Sequence, residues 1–261
     1  MRKPRTALPF APMSDDLRNI ILGVAATAIS AALGWLARTY LWRRRLGHQQ
    51  RFFGLPTGSE CLLVVNRDPG SRDWSVARND VFALIELASI VKDCRAHAEI
   101  LPHDTAWQGF GARTEFCIGG PVSNQRMAAH LRTMLPGVEI NPDNLGPDRG
   151  ALTIAGETYR LDKGSVEYVL LARLAADENT GNSRPVFLSS GQTAITNQAA
   201  VRYLVRHHTR LARKYGGDGS FCLLLKVINS TAYGPDVVEV VADVTRPAST
   251  PVSRPAIATA E

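Results

Sequence analysis

A stretch without any charged residue runs from Asn19 to Ala37, and Arg38 and the run Arg43–Arg45 follow it closely. As a helix rising 1.5 Å per residue, residues 19–42 are long enough to cross a hydrocarbon core of roughly 30 Å. A cleaved secretory signal would have a shorter apolar core and a small-residue cleavage site, and a buried helix of a soluble domain would carry a polar stripe. We therefore predict a single transmembrane helix over 19–42, after a flexible N-terminus at 1–18.

The positive charge of the chain is concentrated around this stretch. The formal net charge is +6 and the sequence pI is about 9.4, values that alone would suggest nucleic-acid binding. Residues 1–51 hold nine Lys or Arg and two Asp, whereas the other 210 residues hold 21 basic and 22 acidic side chains. The basic excess thus belongs to the flanks of the span, so we expect no nucleic-acid partner. Anionic lipid headgroups are the expected partner of Arg43, Arg44 and Arg45.

The flanks of the span also bear on orientation and self-association. Five Arg lie close to its C-terminal end and four basic residues precede it, a narrow bias that favours a cytoplasmic C-terminal domain. Ala26, Ser30 and Gly34 place small residues at every fourth position, a spacing that permits close packing of two membrane helices. Alanine-rich spans also contain this spacing by chance, so both readings stay open. We expect a basic juxtamembrane linker at 43–57.

Short apolar runs alternate with helical periodicity over residues 58–245. The first apolar run is bounded by turn residues, and Ser75 then precedes a helical pattern with Val81, Leu84, Ile85, Ala88 and Val91 on one face. The remaining pattern predicts a β-hairpin at 151–161, helices at 123–135 and 196–215, and strands at 61–65, 98–101, 115–118, 168–174, 186–189, 221–228 and 237–244.

These elements indicate an α/β fold with a mostly parallel, layered sheet and an inserted β-hairpin. The length allows one domain at 58–245, which could divide into two lobes at 58–145 and 146–245. The tail at 246–261 alternates Pro with Ser, Thr and Ala, a composition typical of disorder.

The four cysteines form no metal or disulfide pattern. They are scattered singly, and three lie inside strongly apolar runs, where a free Cys acts as a small buried hydrophobe. Cys117 beside Gly119 could act as a nucleophile, but the sequence places no His to activate it. The sequence therefore predicts buried free thiols, no metal site and no cofactor.

Two strand-to-helix junctions within the chain resemble each other. In each, an apolar strand is followed by a Gly-containing loop, a hydroxyl residue and the pair Asn-Gln. A helix that opens with paired Ala comes next. Glycine lets a ligand approach the backbone closely, and free amides at a helix N-terminus favour an anion. Side by side at one sheet edge, the junctions would form a phosphate-binding crevice. Its predicted ligand-binding residues are Gly119, Gly120, Ser123, Asn124, Ser190, Gly191, Thr196 and Asn197.

A plainer interpretation stays open, because Gly with Ser, Thr or Asn between a strand and a helix is also ordinary turn and cap chemistry. Neither junction matches the dinucleotide fingerprint G-x-G-x-x-G or a phosphate loop that ends in Gly-Lys-Ser/Thr.

The two loops, GGPVSN at 119–124 and VFLSSG at 186–191, resemble the glycine-containing edges of Rossmann-like nucleotide-sensing domains of the lysine-decarboxylase-like and TIR-like folds. Such domains accompany membrane helices in bacterial signalling and conflict systems. The second loop is followed by no acidic residue in the next turn, so the resemblance implies sensing of a nucleotide-like ligand rather than hydrolysis. A nucleoside or NAD glycosidase at the membrane and a ligand-free structural interaction module are the alternatives.

Overall fold

The computed structural model describes residues 15–68, 75–106, 111–143, 145–175 and 184–251. The chain divides into two compact units, with the boundary between Leu46 and Gly47. Of the N-terminal segment 1–18, which was predicted to be flexible, residues 1–14 lie outside the described residues. Residues 15–18 belong to the first turn of helix α1 (Asp15–Phe53).

Most of helix α1 lies in the first unit. Asp15 and Asp16 stand in its first turn, where negative charge complements the helix dipole. Its most apolar 18-residue window has a mean hydropathy of 2.0, so the helix is long and apolar enough to cross a membrane. The hydroxyls of Thr27 and Ser30 donate to the carbonyl oxygens of Gly23 and Ala26, at 2.8 and 2.9 Å. The helix therefore satisfies these polar groups by itself.

The end of α1 differs from the predicted linker at 43–57. The helix continues to Phe53, and the side chains of Phe52, Phe53 and Leu55 are fully buried in the core of the second unit. The arginines suggested a polar linker, but the two aromatic side chains directly after Arg51 have a large apolar surface to bury. The last turn of the helix is therefore part of the second unit.

Arg173 links this last turn to residues 217–219 through hydrogen bonds to backbone carbonyl groups. Its side chain is buried and donates to the carbonyl oxygens of Phe52 at 3.0 Å, Gly219 at 2.7 Å and Gly217 at 3.1 Å. Burial lowers the pKa of Arg173 to about 10. A cation at this position suits the C-terminal end of a helix, where carbonyl groups lack intrahelical partners.

The second unit is an α/β structure. Its helices after α1 are α2 (Arg78–Asp93), α3 (Gln125–Met134), α4 (Ala194–Tyr215), α5 (Ser230–Tyr233) and α6 (Thr245–Ser249). Its strands are β1 (Glu60–Val65), β2 (His97–Pro102), β3 (Thr114–Ile118), β4 (Val138–Ile140), β5 (Leu152–Ile154), β6 (Glu157–Tyr159), β7 (Val166–Leu174), β8 (Val186–Gly191), β9 (Phe221–Ile228) and β10 (Val238–Asp243).

Seven of the described strands form one sheet in the order β10-β9-β7-β8-β3-β1-β2. The pairs from β8 to β2 are parallel, and the pairs that join β8, β7, β9 and β10 are antiparallel. Five strands therefore point the same way, which confirms an α/β fold with a mostly parallel sheet. The antiparallel part was not predicted; residues 229–237 between β9 and β10 are too few for a parallel crossover.

The central strands of the sheet are buried on both faces, which explains their continuous apolar runs. Alternate residues of β1 point to opposite sides: Cys61, Leu63 and Val65 pack with α2, α4 and the end of α1, whereas Leu62 and Val64 pack with α3, α6 and the smaller sheet. The pairing of β3 with β8 places both possible lobes, 58–145 and 146–245, in one sheet.

The predicted hairpin is confirmed. Strands β5 and β6 pair around Ala155 and Gly156, which both have positive φ (53° and 84°), as a tight two-residue hairpin turn requires. Strand β4 pairs with β5 and completes a separate three-stranded antiparallel sheet.

Two local predictions were wrong. Helix α2 has Ala77, not Ser75, at its N-cap, and Val81 and Ile85 are exposed while Ala83, Leu84, Leu87, Ile90 and Val91 are buried. The tail predicted as disordered begins with α6, in which Ala248 is buried and accepts a hydrogen bond from the Gly137 amide at 2.9 Å. Residues 252–261 of that tail lie outside the described residues.

All four cysteines are free and buried, as predicted. Burial raises the pKa of Cys61, Cys94 and Cys222 to about 12, so these thiols are neutral core side chains.

Candidate functional site

The two glycine-containing junctions line one cavity of about 450 Å³. It lies at the carboxyl ends of the adjacent parallel strands β1, β3 and β8, where open α/β sheets bind ligands. Gly120 follows β3 and Gly191 ends β8, and a Cβ atom on Gly120 would lie 3.3 Å from the Gly191 carbonyl oxygen. The structure therefore brings the two loops together.

Three helices begin at this cavity, because each follows a parallel strand and starts at the same sheet edge. Helix α3 is capped by Asn124, whose Oδ1 accepts from the Met127 amide at 2.9 Å. Helix α4 is capped by Thr193 and Thr196 in a reciprocal capping box. Helix α2 begins at Ala77 without a side-chain cap. Asp80 lies in its first turn, where a carboxyl group complements the helix dipole.

The eight predicted ligand-binding residues fall into two groups. Gly120, Ser123, Gly191 and Asn197 line the cavity. The other four do not line it and shape the loops instead: the Gly119 amide donates to the Ser189 carbonyl oxygen at 3.0 Å, Asn124 and Thr196 cap helices, and Ser190 is buried.

A hydrogen-bonded network forms the floor of the cavity. Asn197 accepts a hydrogen bond from the Gly191 amide at 2.8 Å and donates to Asp80 Oδ1 at 2.9 Å. Asn66 Nδ2 donates to Ser123 Oγ at 3.2 Å. Among the described residues, Asn66 Oδ1 and Asp80 Oδ2 are buried without a hydrogen-bond partner. The floor therefore presents two acceptor oxygens.

The walls of the cavity are different in character. The smaller sheet contributes Ile140 and Leu152, and the loop after β3 contributes Val122, which is 58% exposed. Gln192 fixes this sheet in place, since its Nε2 donates to the carbonyl oxygens of Gly150 and Tyr159 at 3.0 and 2.9 Å. The exposed Lys163 adds a positive charge at the rim.

The sequence patterns did not predict four residues that line the cavity, namely Asn66, Asp80, Lys163 and Gln192. Asn66 is the first residue after β1, so the rule that ligands bind beyond the carboxyl ends of parallel strands could have found it. No local signal marks Asp80, because its burial depends on Asn197, which lies 117 positions away in the chain.

The carboxyl group of Asp80 is fully buried, and burial raises its pKa from 3.8 to about 6, although the Asn197 and Asn66 amides oppose the shift. The unfolded chain therefore loses this proton at lower pH than the folded chain does. The associated stability is fully present below pH 3.8 and is lost as pH rises through about 6.

We expect Asp80→Asn to remove this loss of stability at higher pH. Compared with the wild type, the variant should gain about 2–3 kcal/mol in free energy of unfolding between pH 4 and pH 7, a figure that follows from the pKa shift. Denaturant unfolding at a series of pH values measures this difference. A constant difference between the two proteins across that range would contradict the buried, neutral carboxyl group.

A second buried cluster lies on β3 and α3 and does not line the cavity. Ligand atoms of Glu115, Cys117 and His130 lie within 4.8 Å of one another, so the structure supplies the His that the sequence did not place near Cys117. Arg126 donates to both oxygens of Glu115 at 2.6 and 2.7 Å, and His130 contacts Oε1 at 2.8 Å.

These partners determine the chemistry of the cluster. Burial alone would raise the pKa of Glu115, but hydrogen bonds from Arg126 and His130 lower it on balance. Burial raises the pKa of the Cys117 thiol well above its usual value. A guanidinium group on both carboxylate oxygens and a neutral thiol favour an ion-paired core network over a metal site or an activated nucleophile.

Comparisons of the chain with protein-family models, with curated proteins and with solved structures found no match. The function is therefore argued from the geometry of the cavity and from the apolar helix.

Proposed function

We propose that this chain is a single-pass membrane protein with a Rossmann-like domain that binds a nucleotide-like or other phosphorylated ligand, for signalling or scaffolding. The observation that carries the proposal is the position of the cavity. Both glycine junctions and the starts of three helices surround it at the carboxyl ends of β1, β3 and β8.

The cavity offers complementary surfaces for the parts of such a ligand. Its volume of about 450 Å³ lies within the usual range for small-molecule sites. Val122, Ile140 and Leu152 provide an apolar wall for a base. The ammonium group of Lys163 at the rim favours an anionic group.

A binding experiment on the full chain in detergent micelles tests this proposal. Thermal unfolding is followed with nucleoside monophosphates, cyclic nucleotides and NAD. A ligand present at 100 times its Kd should add about 2.7 kcal/mol to the free energy of unfolding. Lys163→Ala should weaken binding about fivefold or more, whereas Lys92→Ala on α2, away from the cavity, should leave it unchanged. No stabilisation at millimolar concentrations would favour the ligand-free interaction module.

Asp80 favours an enzyme as the second candidate, specifically a nucleoside or NAD glycosidase. A buried carboxyl group with a pKa near 6 at the floor of a polar cavity suits general acid or base catalysis near neutral pH. If this candidate is correct, Asp80→Asn should lower turnover of NAD or nucleosides about 100-fold or more. Turnover that survives this substitution would exclude Asp80 as the catalytic carboxyl group.

We propose that α1 inserts into the membrane and places the second unit in the cytoplasm. The exposed side chains of this apolar helix favour lipid over water, and the hydroxyls of Thr27 and Ser30 are already satisfied within it. The arginines Arg43, Arg44 and Arg45 would contact anionic headgroups, at about 1 kcal/mol each.

A reporter protein fused after Glu261 tests the orientation. We expect a reporter that functions only in the cytoplasm to be active and one that functions only outside the cytoplasm to be inactive, because the Arg bias after the span opposes translocation. The reverse pattern would contradict the proposed orientation. Exchange of Arg43, Arg44 and Arg45 for Ser should reduce the difference in activity between the two reporters. Exchange of three arginines on α4 should leave that difference unchanged.

We also propose that the face formed by Ala26, Ser30 and Gly34 pairs two copies of the helix. Gly34→Ile should reduce cross-linking between copies in membranes. Ala32→Ile is the matched control, because Ala32 lies on the opposite side of the helix. Equal cross-linking of the two variants would mean that the small-residue spacing is incidental.

A further inference from the structure

The floor of the cavity shows which part of the ligand it receives. From its two unpartnered acceptor oxygens, we propose that Asn66 and Asp80 bind the 2′- and 3′-hydroxyls of a ribose, so that the ligand is a ribonucleotide rather than a deoxyribonucleotide. This inference rests on the proposed function and adds a substrate class and an orientation to it.

Both acceptor groups are held in place from behind. Asp80 has no exposed surface and receives a hydrogen bond from Asn197 at Oδ1, which leaves Oδ2 directed elsewhere. Asn66 is 6% exposed and donates to Ser123 Oγ through Nδ2, which leaves Oδ1 available. Within the described part of the chain neither remaining oxygen has a donor within hydrogen-bonding distance, although the Asn66 amide lies near enough to Asp80 to oppose the rise in the pKa of its carboxyl group. A donor supplied by a ligand would satisfy both buried oxygens.

Glycine at position 119 makes this arrangement possible. Its φ of +114° is unusual for other residues, and a Cβ atom there would lie 2.8 Å from both Cβ and Cγ of Asn66. A larger residue would therefore displace Asn66 from the floor. This assigns Gly119, predicted as a ligand-binding residue, the role of positioning Asn66.

The chemistry of the floor selects hydroxyl groups over ions. A phosphate group is anionic and offers mostly acceptor oxygens near neutral pH, so the two acceptors of the floor would disfavour it. A divalent cation of the calcium or magnesium type takes six or more oxygen ligands, whereas Asp80 Oδ1 is committed to Asn197 and the amide groups of Asn66 and Asn197 donate. A hydroxyl both donates and accepts, and two hydroxyls on adjacent carbons can serve two neighbouring acceptors.

The other walls then fix the direction of the ligand. With the ribose on the floor, the base would contact the apolar wall of Val122, Ile140 and Leu152. The phosphate would point to Lys163 at the exposed rim. The inference therefore assigns one part of the ligand to the floor, one to the apolar wall and one to Lys163.

Calorimetry on the full chain in micelles tests the inference with four ribonucleoside 5′-monophosphates, their 2′-deoxy and 3′-deoxy analogues, the 2′,3′-dideoxy analogues and inorganic phosphate. For the ribonucleotide that binds best, loss of either hydroxyl should weaken binding about tenfold or more, because a buried acceptor is then left without a donor. The dideoxy analogue should lose more than either single deoxy analogue.

Asp80→Asn provides the sharper measurement, since it replaces one acceptor with a donor at nearly constant shape. The preference for the ribonucleotide over its dideoxy analogue should fall about tenfold in this variant. Lys163→Ala should weaken both ligands equally and keep the preference. A melting temperature at pH 4 close to that of the wild type will show that Asp80→Asn is folded.

Three other outcomes would contradict the ribose assignment, and they differ in what they imply for the proposed function. Equal affinity for ribonucleotides and deoxyribonucleotides would refute the ribose assignment and leave the proposed function standing. Phosphate that binds as tightly as the nucleotides would refute it in the same way. No binding of any member of the panel would refute both.

Discussion

Phe52→Ala should lower the free energy of unfolding of the second unit by about 3–5 kcal/mol, the usual cost of removing a fully buried aromatic ring. The ring centroid of Phe52 lies 5.0 Å from that of Phe53, 6.0 Å from Phe187 and 6.4 Å from Phe221. The Arg173 guanidinium lies 5.7 Å from the same centroid. Alanine would remove all these contacts and leave a cavity beside a buried cation.

Denaturant unfolding of the full chain in micelles measures this loss, and Phe82→Ala is its matched control. Phe82 is 45% exposed on α2, so its replacement should cost less than about 1 kcal/mol. Equal losses for the two variants would show that the last turn of α1 contributes nothing to the core.

Gly191→Ala should lower the free energy of unfolding by about 1–3 kcal/mol and also abolish ligand binding. A Cβ atom at this position would lie 2.2 Å from Thr196 Oγ1 and 2.7 Å from Asn197 Oδ1. Both atoms belong to buried side chains at the start of α4, so the loop or the helix has to move. Since Asn197 holds Asp80, the movement reaches the floor of the cavity.

Two other glycines separate the effects on stability and on binding. Gly47→Ala should be neutral or slightly stabilising, because Gly47 is helical and a Cβ atom there meets nothing within 4 Å. Gly120→Ala should weaken binding more than folding, because its nearest contact, at 3.3 Å, is the Gly191 carbonyl oxygen across the cavity mouth. Unchanged affinity in Gly191→Ala and Gly120→Ala would mean that the junctions are only helix caps.

The strands that are buried on both faces were predictable from sequence. Continuous apolar runs at 61–65 and 221–228 predicted β1 and β9, because both faces of these strands meet apolar layers. The hairpin was predictable for a local reason, since the Gly156 turn suits positive φ.

Features that depend on tertiary partners were not predictable in this way. The pattern of α2 offered two overlapping apolar faces, and packing against α4 buries Leu84 and Leu87 while Ile85 stays exposed. The sequence indicated which loops approach the cavity, because glycine and hydroxyl residues follow the strands. It could not indicate Asp80, whose role depends on a side chain in another helix.

The burial of the last turn of α1 determines which proteolytic fragments could survive. A protease that cut among Arg43, Arg44 and Arg45 would shed a piece that retains Phe52, Phe53 and Leu55 and hence a complete core. A cut after Leu55 would remove three fully buried side chains and one of the three carbonyl groups to which Arg173 donates. The second piece would be left with a buried cation and an open core, and so would itself be degraded rapidly. Cleavage among these arginines would thus release the second unit with its core intact, whereas cleavage after Leu55 would destroy that core.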